Sequence, residues 1–348
     1  MSTPGDGGVS GERVERRSSG KIDCHTHTLP RRWLDLAERL GDDRWPARRR
    51  IDACSAEIFV GGRHFRTVPQ TCWDVAARLE QMDSAGVAVQ WLSTTPVMFS
   101  YWADPRRGAE MAAHVNDGIA EMVREAPERF VGLATLPLAS TDLALRELER
   151  AVTELGLQGV EIGTNIAGLE LDDDSLAPVF DAVADLGVPI LVHPWDVRGA
   201  DRLGRYNAMY TVGMPTETAY AATALLLGGV LERLPELRIL LAHGGGALAG
   251  LLPRIDRGWE TWPDRRGTGS RRPAELARSL WADSMVGDGT NLRLVAERLG
   301  WDRIVLGSDY PFPFGERAAG GMVERAALDT ARREGVLSAN ARALLGVA

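Results

Sequence analysis

Short apolar runs of strand length recur along the chain, separated by longer segments. They are KIDCHT (21–26), VAVQWLST (87–94), FVGLATLP (130–137), GVEIGT (159–164), PILVHP (189–194), RILLAHGG (238–245), LWADSM (280–285) and RIVLGSDYP (303–311). The segments between them read as helices. TDLALRELERAVTEL carries apolar residues at three- and four-residue spacing. LAPVFDAVADLG does the same and stops on Gly187, and TETAYAATALLLGGVLERLP is a third helix. Eight strands alternating with helices predict an α/β chain closed as a (β/α)8 TIM barrel, with a doubly wound open sheet as the alternative.

The longest gap falls between the first two strands. Residues 30–70 there include AEIFVGGRHFRTV, a small hairpin turning at Gly61-Gly62. It is expected to be an insertion over the barrel mouth. Residues 1–20 are Gly/Ser-rich and charged, which predicts a flexible tail before one domain over 21–348. No internal repeat or interdomain linker stands out.

Composition narrows the function. The 348 residues are 45% hydrophobic, ample for a large core. A net charge of −8 leaves no excess of cations for phosphates and argues against a nucleic-acid partner. No apolar run is long enough to span a bilayer, and the first twenty residues lack a secretory pattern. Cys24, Cys54 and Cys72 are odd in number with no CxxC spacing, so a reduced, cytoplasmic protein is expected. Lys21, the only lysine, lies at the very start of the first run. A Schiff-base or metal-bridging carboxylated lysine in the barrel interior is therefore not expected.

The polar residues at strand ends carry the chemistry. His25 and His27 lie two apart, so on a strand they point to the same side. His193 ends the fifth run, His243 lies near the end of the sixth and Asp309 near the end of the eighth. In a (β/α)8 barrel those ends share the active-site face. Imidazoles with one carboxylate suit Zn2+, and the same donors take Co2+, Mn2+ or Fe2+. A mononuclear centre leaves one histidine over, free to act as a general acid or base. His64 falls in the hairpin, and His114 in a helix, where a structural role is expected.

With these residues placed, the chain resembles the 2-amino-3-carboxymuconate-6-semialdehyde decarboxylase family of the amidohydrolase superfamily. The resemblance covers nearly everything after residue 20 and rests on FRTVPQTCWD, PVMFSYWA, RFVGLATLPL, LVHPWD, GMPTET, AHGGGA and LGSDYPFPFGE. It implies an amidohydrolase-type barrel with one zinc per subunit on His25, His27, His193 and Asp309. It makes His243 the residue that activates the metal's water or shuttles protons. It gives a substrate carboxylate to Arg66 and a second one to Arg254. In the family that second arginine reaches the neighbouring subunit's site, which implies a homodimer. Phe312 is expected to line the pocket. The implied activity is a cofactor-free, carbon–carbon lyase step of tryptophan and 3-hydroxyanthranilate breakdown.

The chain also departs from the family. YNAMY puts Asn207 and Tyr210 where relatives carry tryptophans, so Tyr210 is expected on the substrate wall. Val60 and Arg63 stand where a lysine is usual before the Arg66 position. Glu161 replaces a glutamine and is expected to be a hydrogen-bonded barrel residue rather than a bridge to a second metal. An aromatic-acid decarboxylase of resorcylate- or salicylate-like substrates, or an amide or lactone hydrolase, are the alternative activities.

Overall fold

The computed structural model describes residues 20–347, so the tail read at 1–20 lies, apart from Gly20, outside the described residues. β1 (Lys21–Thr28) leads into a three-stranded antiparallel sheet of β2 (Ala47–Arg50), β3 (Ser55–Val60) and β4 (Arg63–Pro69). The remaining strands are β5 (Val87–Thr94), β6 (Phe130–Thr135), β7 (Gly159–Gly163), β8 (Ile190–His193), β9 (Ile239–Leu241), β10 (Trp281–Asp283) and β11 (Ile304–Val305). β1 and β5 to β11 form one parallel eight-stranded sheet in chain order. β5 to β8 are buried along their whole length, as strands covered on both faces must be.

The two sheet edges are joined by backbone hydrogen bonds. Cys24 N donates to Leu306 O (2.8 Å), Asp309 N to His25 O (2.9 Å) and His27 N to Tyr310 O (2.7 Å). These bonds close the barrel and rule out the open sheet. They also hold the segment carrying Asp309 directly against the segment carrying His25 and His27.

The sheathing helices are α1 (Val75–Ala85), α2 (Pro105–Glu125), α3 (Thr141–Thr153), α4 (Ala177–Leu186), α5 (Met214–Leu227), α6 (Leu248–Thr261), α7 (Gly289–Leu299) and α8 (Asn340–Leu345). α4 stops on Gly187 at φ 62°, the left-handed cap the sequence predicts. The third predicted helix is not continuous. α5 ends at Leu227, Gly229 adopts φ 78°, and a separate short helix spans Val230–Arg233. No helix among the described residues is long and apolar enough to cross a membrane.

The last three strands are shorter than their apolar runs. The chain leaves the ladder after Leu241 and Val305, and His243 and Asp309 lie in the turns beyond. The insertion has the expected two-residue turn, with Gly61 at φ 59° and Gly62 at φ 67°, and one strand more than the hairpin read from the sequence.

Candidate active site

One donor atom from each of His25, His27, His193 and Asp309 falls within 4.8 Å of all the others, and all four residues are buried. His25 Nε2 lies 3.2 Å from His27 Nε2. Asp309 Oδ1 lies 3.1 Å from His27 Nε2 and 3.7 Å from His25 Nε2. The other ring nitrogens are already occupied. His25 Nδ1 pairs with Asp283 Oδ2 at 2.6 Å, His27 Nδ1 with Thr94 O at 2.8 Å, and His193 Nδ1 with Pro194 O at 3.1 Å. Each ring thus turns Nε2 toward a common point, the arrangement that orients histidines on a metal. His193 Nε2 is buried there without a hydrogen-bond partner. An orphaned acceptor of this kind is costly unless a cation completes it, so the residues fit a divalent metal.

Electrostatics agree. Burial alone raises the Asp309 carboxyl, but the His27 hydrogen bond and the neighbouring imidazole charges outweigh it and bring it to about 2. Burial lowers His25, yet its hydrogen bond and ion pair with Asp283 lift it to about 9. His27 and His193 are lowered, mainly by burial. They are therefore neutral and ready to donate, and a metal has one proton to displace, from His25.

Asp283 was not legible as a site residue. It closes β10, and besides His25 it accepts from the backbone N–H of His243 (2.9 Å), Gly244 (2.8 Å) and Met285 (3.0 Å). Its one signal in the sequence is an acid at the end of an apolar run, the feature that marks Asp309. Arg78 on α1 was missed as well. Fully buried, it donates to His27 O (3.0 Å), Thr71 O (3.1 Å), Thr26 Oγ1 (2.7 Å) and Gln90 Oε1 (2.7 Å). Its guanidinium also lies 4.8 Å from the Tyr310 ring centre. One side chain thereby braces two of the three segments that carry metal-capable residues.

His243 stands beside the group rather than in it. Its ring centre is 4.9 Å from that of His193 and 5.1 Å from that of His25, and its Nε2 is 4.0 Å from Asp309 Oδ2. Burial first, and then the charge on His25, push it down to about 4. It adopts φ 54°, a strained value for a residue with a side chain. The glycines after it make the turn possible. A Cβ at Gly244 would strike the Val286 side chain, and one at Gly246 the Pro215 carbonyl.

His27, His193, His243 and Asp309 floor a cavity of ≈ 900 Å3. Arg66, Tyr210 and Phe312 line it, as do Phe65 and Trp195. Phe312 stacks on His27 with ring centres 5.3 Å apart, and the Arg66 guanidinium sits 4.0 Å above the Phe312 ring. The insertion therefore reaches the mouth of the barrel through Phe65 and Arg66. Arg254 is not part of this cavity; it is exposed on α6. His64 is exposed beside Thr67, and His114 donates to the Arg32 carbonyl at 2.9 Å, a structural bond. Glu161 departs from expectation. It is fully buried, 3.8 Å from His27 Nδ1, and neither carboxylate oxygen finds a hydrogen-bond partner of good geometry. Burial holds its carboxyl well above the ordinary carboxyl range, against the opposing pull of the His25 charge.

Comparison with known proteins adds to this geometry. The amidohydrolase family model matches residues 22–347. A 2-amino-3-carboxymuconate-6-semialdehyde decarboxylase of Dictyostelium discoideum is 39% identical, covering 94% of this chain and 92% of its own length. One from Caenorhabditis elegans is 34% identical, covering 94% and 95%. Among solved structures, a dihydroxybenzoic acid decarboxylase of Polaromonas with bound manganese and an inhibitor is 25% identical. It superposes with a TM-score of 0.75, covering 94% of this chain and 97% of that one.

Proposed function

The chain belongs to the amidohydrolase family, and on that premise we propose that this non-oxidative decarboxylase converts 2-amino-3-carboxymuconate-6-semialdehyde to 2-aminomuconate-6-semialdehyde and CO2. The observation that carries the proposal is the four-donor group with His243 beside it and Arg66 above Phe312, in one cavity. The reaction belongs to tryptophan breakdown through the kynurenine route, in the cytoplasm.

Arg66 binds a substrate carboxylate through its planar pair of donors. The aromatic rings of Phe65, Trp195, Tyr210 and Phe312 displace water around the substrate. The carboxylate carbon leaves as CO2, and the electron pair of the broken C–C bond stays on the substrate carbon. His243, kept neutral by its burial, relays a proton from solvent water to that carbon, so charge and atoms balance without a redox partner. His25, His27, His193 and Asp309 would hold one zinc ion, which when bound supplies Lewis-acid polarisation of the substrate.

Arg254 is proposed to serve the site of a second copy of the chain. It is exposed on α6, which packs against α5. These helices, with the residue that follows α6, present Tyr220 (63% exposed), Leu251 (41%) and Trp262 (61%), a surface suited to a homodimer.

The test follows absorbance of the semialdehyde with purified, metal-loaded protein. Loss faster than spontaneous cyclisation to quinolinate, with CO2 released, supports the proposal; loss at the spontaneous rate refutes it. Tyr210 on the cavity wall favours one second reading, an aromatic-acid decarboxylase of dihydroxybenzoate type. Much faster turnover of such an acid than of the semialdehyde would select it.

A further inference from the structure

The cavity has a second cation at its outer edge. Besides Arg66, the only arginine lining it is Arg325, the last residue of the short helix Gly321–Arg325. Arg325 also lines a neighbouring cavity of ≈ 420 Å3, together with Gly287, Met322 and Arg293. Gly287 and Met322 line both spaces, so the two meet at Arg325. Among the described residues, no hydrogen bond or ion pair occupies the Arg325 guanidinium.

No nearby acid is paired with it. Glu316 lines the cavity, but its carboxylate is spent on the backbone N–H groups of Gly320 and Met322. Asp288 lines the smaller cavity, and its Oδ1 accepts from Thr290 N and Asn291 N at the start of α7. The other acid of the main cavity is Asp309, in the metal-capable group on its floor. In a chain of net charge −8, an unpaired guanidinium at the junction of two cavities is a local exception. It has donors to offer an anion that enters from solvent.

We infer that Arg325 is a second carboxylate-binding residue of this site, supplied by the same chain. It engages the carboxylate that stays on the substrate, while the departing one lies over the metal-capable floor. The inference rests on the dicarboxylate reading above and deepens it. Recognition of both carboxylates is then available within one subunit, before any contribution from Arg254 of a second copy.

Binding can be measured without turnover. Phthalate, a planar dicarboxylate, and benzoate, its monocarboxylate counterpart, are titrated into the metal-loaded enzyme by calorimetry. The parent protein is expected to prefer phthalate. Arg325→Gln should weaken phthalate by about tenfold, the scale of one lost charge-assisted hydrogen bond, and leave benzoate within about twofold. Arg325→Lys, which keeps charge but loses the planar fork, should fall between. A variant that keeps the parent's preference overturns the role of Arg325 while leaving the dicarboxylate reading intact. A parent that binds the two acids equally overturns both.

Discussion

At the floor of the cavity the histidine nitrogens facing away from the centre are already bonded, to Asp283, Thr94 and Pro194. At the wall, the guanidinium groups of Arg66 and Arg325 have no hydrogen-bond or ion-pair partner among the described residues. Arg66 lies over aromatic rings instead, 4.0 Å from the centre of Phe312 and 5.8 Å from that of Tyr210. On the proposed function the two regions serve different ligands. A metal is small and permanent, so its donors are locked in advance by a second layer of bonds. A substrate comes and goes, so the groups that bind it keep their donors free until it arrives.

The largest effect that tests this contrast is removal of a floor donor. His193→Ala should drop bound metal from about one ion per chain to none and turnover to background. Metal analysis and activity on the same sample decide it; full metal content in the variant would contradict the floor assignment. Removing a bond behind the floor comes next. Asp283→Asn should weaken metal binding by about 10–100-fold, read by chelator competition, because His25 loses the carboxylate that orients it.

Acid probes the same pair. Without metal, His25 titrates near 9 while His27 and His193 are lowered, so metal binding displaces one proton below that pH. Metal affinity should fall as pH falls, by about tenfold per unit across the neutral range. Asp283→Asn removes the cause of the raised His25 value and should flatten that slope. A slope unchanged by the substitution would show that another group carries the proton.

At the wall the signature reverses. Arg66→Gln should raise KM by about tenfold or more while metal content stays that of the parent. Loss of metal with Arg66 would erase the distinction between the regions. The smallest change expected is at Tyr210. Tyr210→Trp alters ring size on a partly open wall, and should shift the ratio of kcat/KM between the semialdehyde and dihydroxybenzoate by only a few-fold, about the discrimination one apolar contact gives.

Much of the floor was legible because strand periodicity and barrel topology act together. His25 and His27 share a face by the two-residue repeat, and His193, His243 and Asp309 follow apolar runs that end on the same side. Asp283 escaped notice because its meaning lies in a contact with His25 across 258 residues of chain. Arg78 escaped because one arginine among many on a helix face looks solvated until its burial is seen. The short β9 and β11 were overread for a related reason. Their apolar runs continue past the last ladder bond, and only the turn at His243 and the crossing to β1 show where pairing stops. Arg325 was illegible for the opposite reason, since its position matters only through the two cavities that meet there.

The most direct test measures CO2 release and metal content on one preparation supplied with 2-amino-3-carboxymuconate-6-semialdehyde. The account predicts about one metal ion per chain and one CO2 for each semialdehyde consumed, with the yield lost in His193→Ala. Metal-loaded protein that consumes no semialdehyde beyond its cyclisation to quinolinate, and releases no CO2, would contradict it.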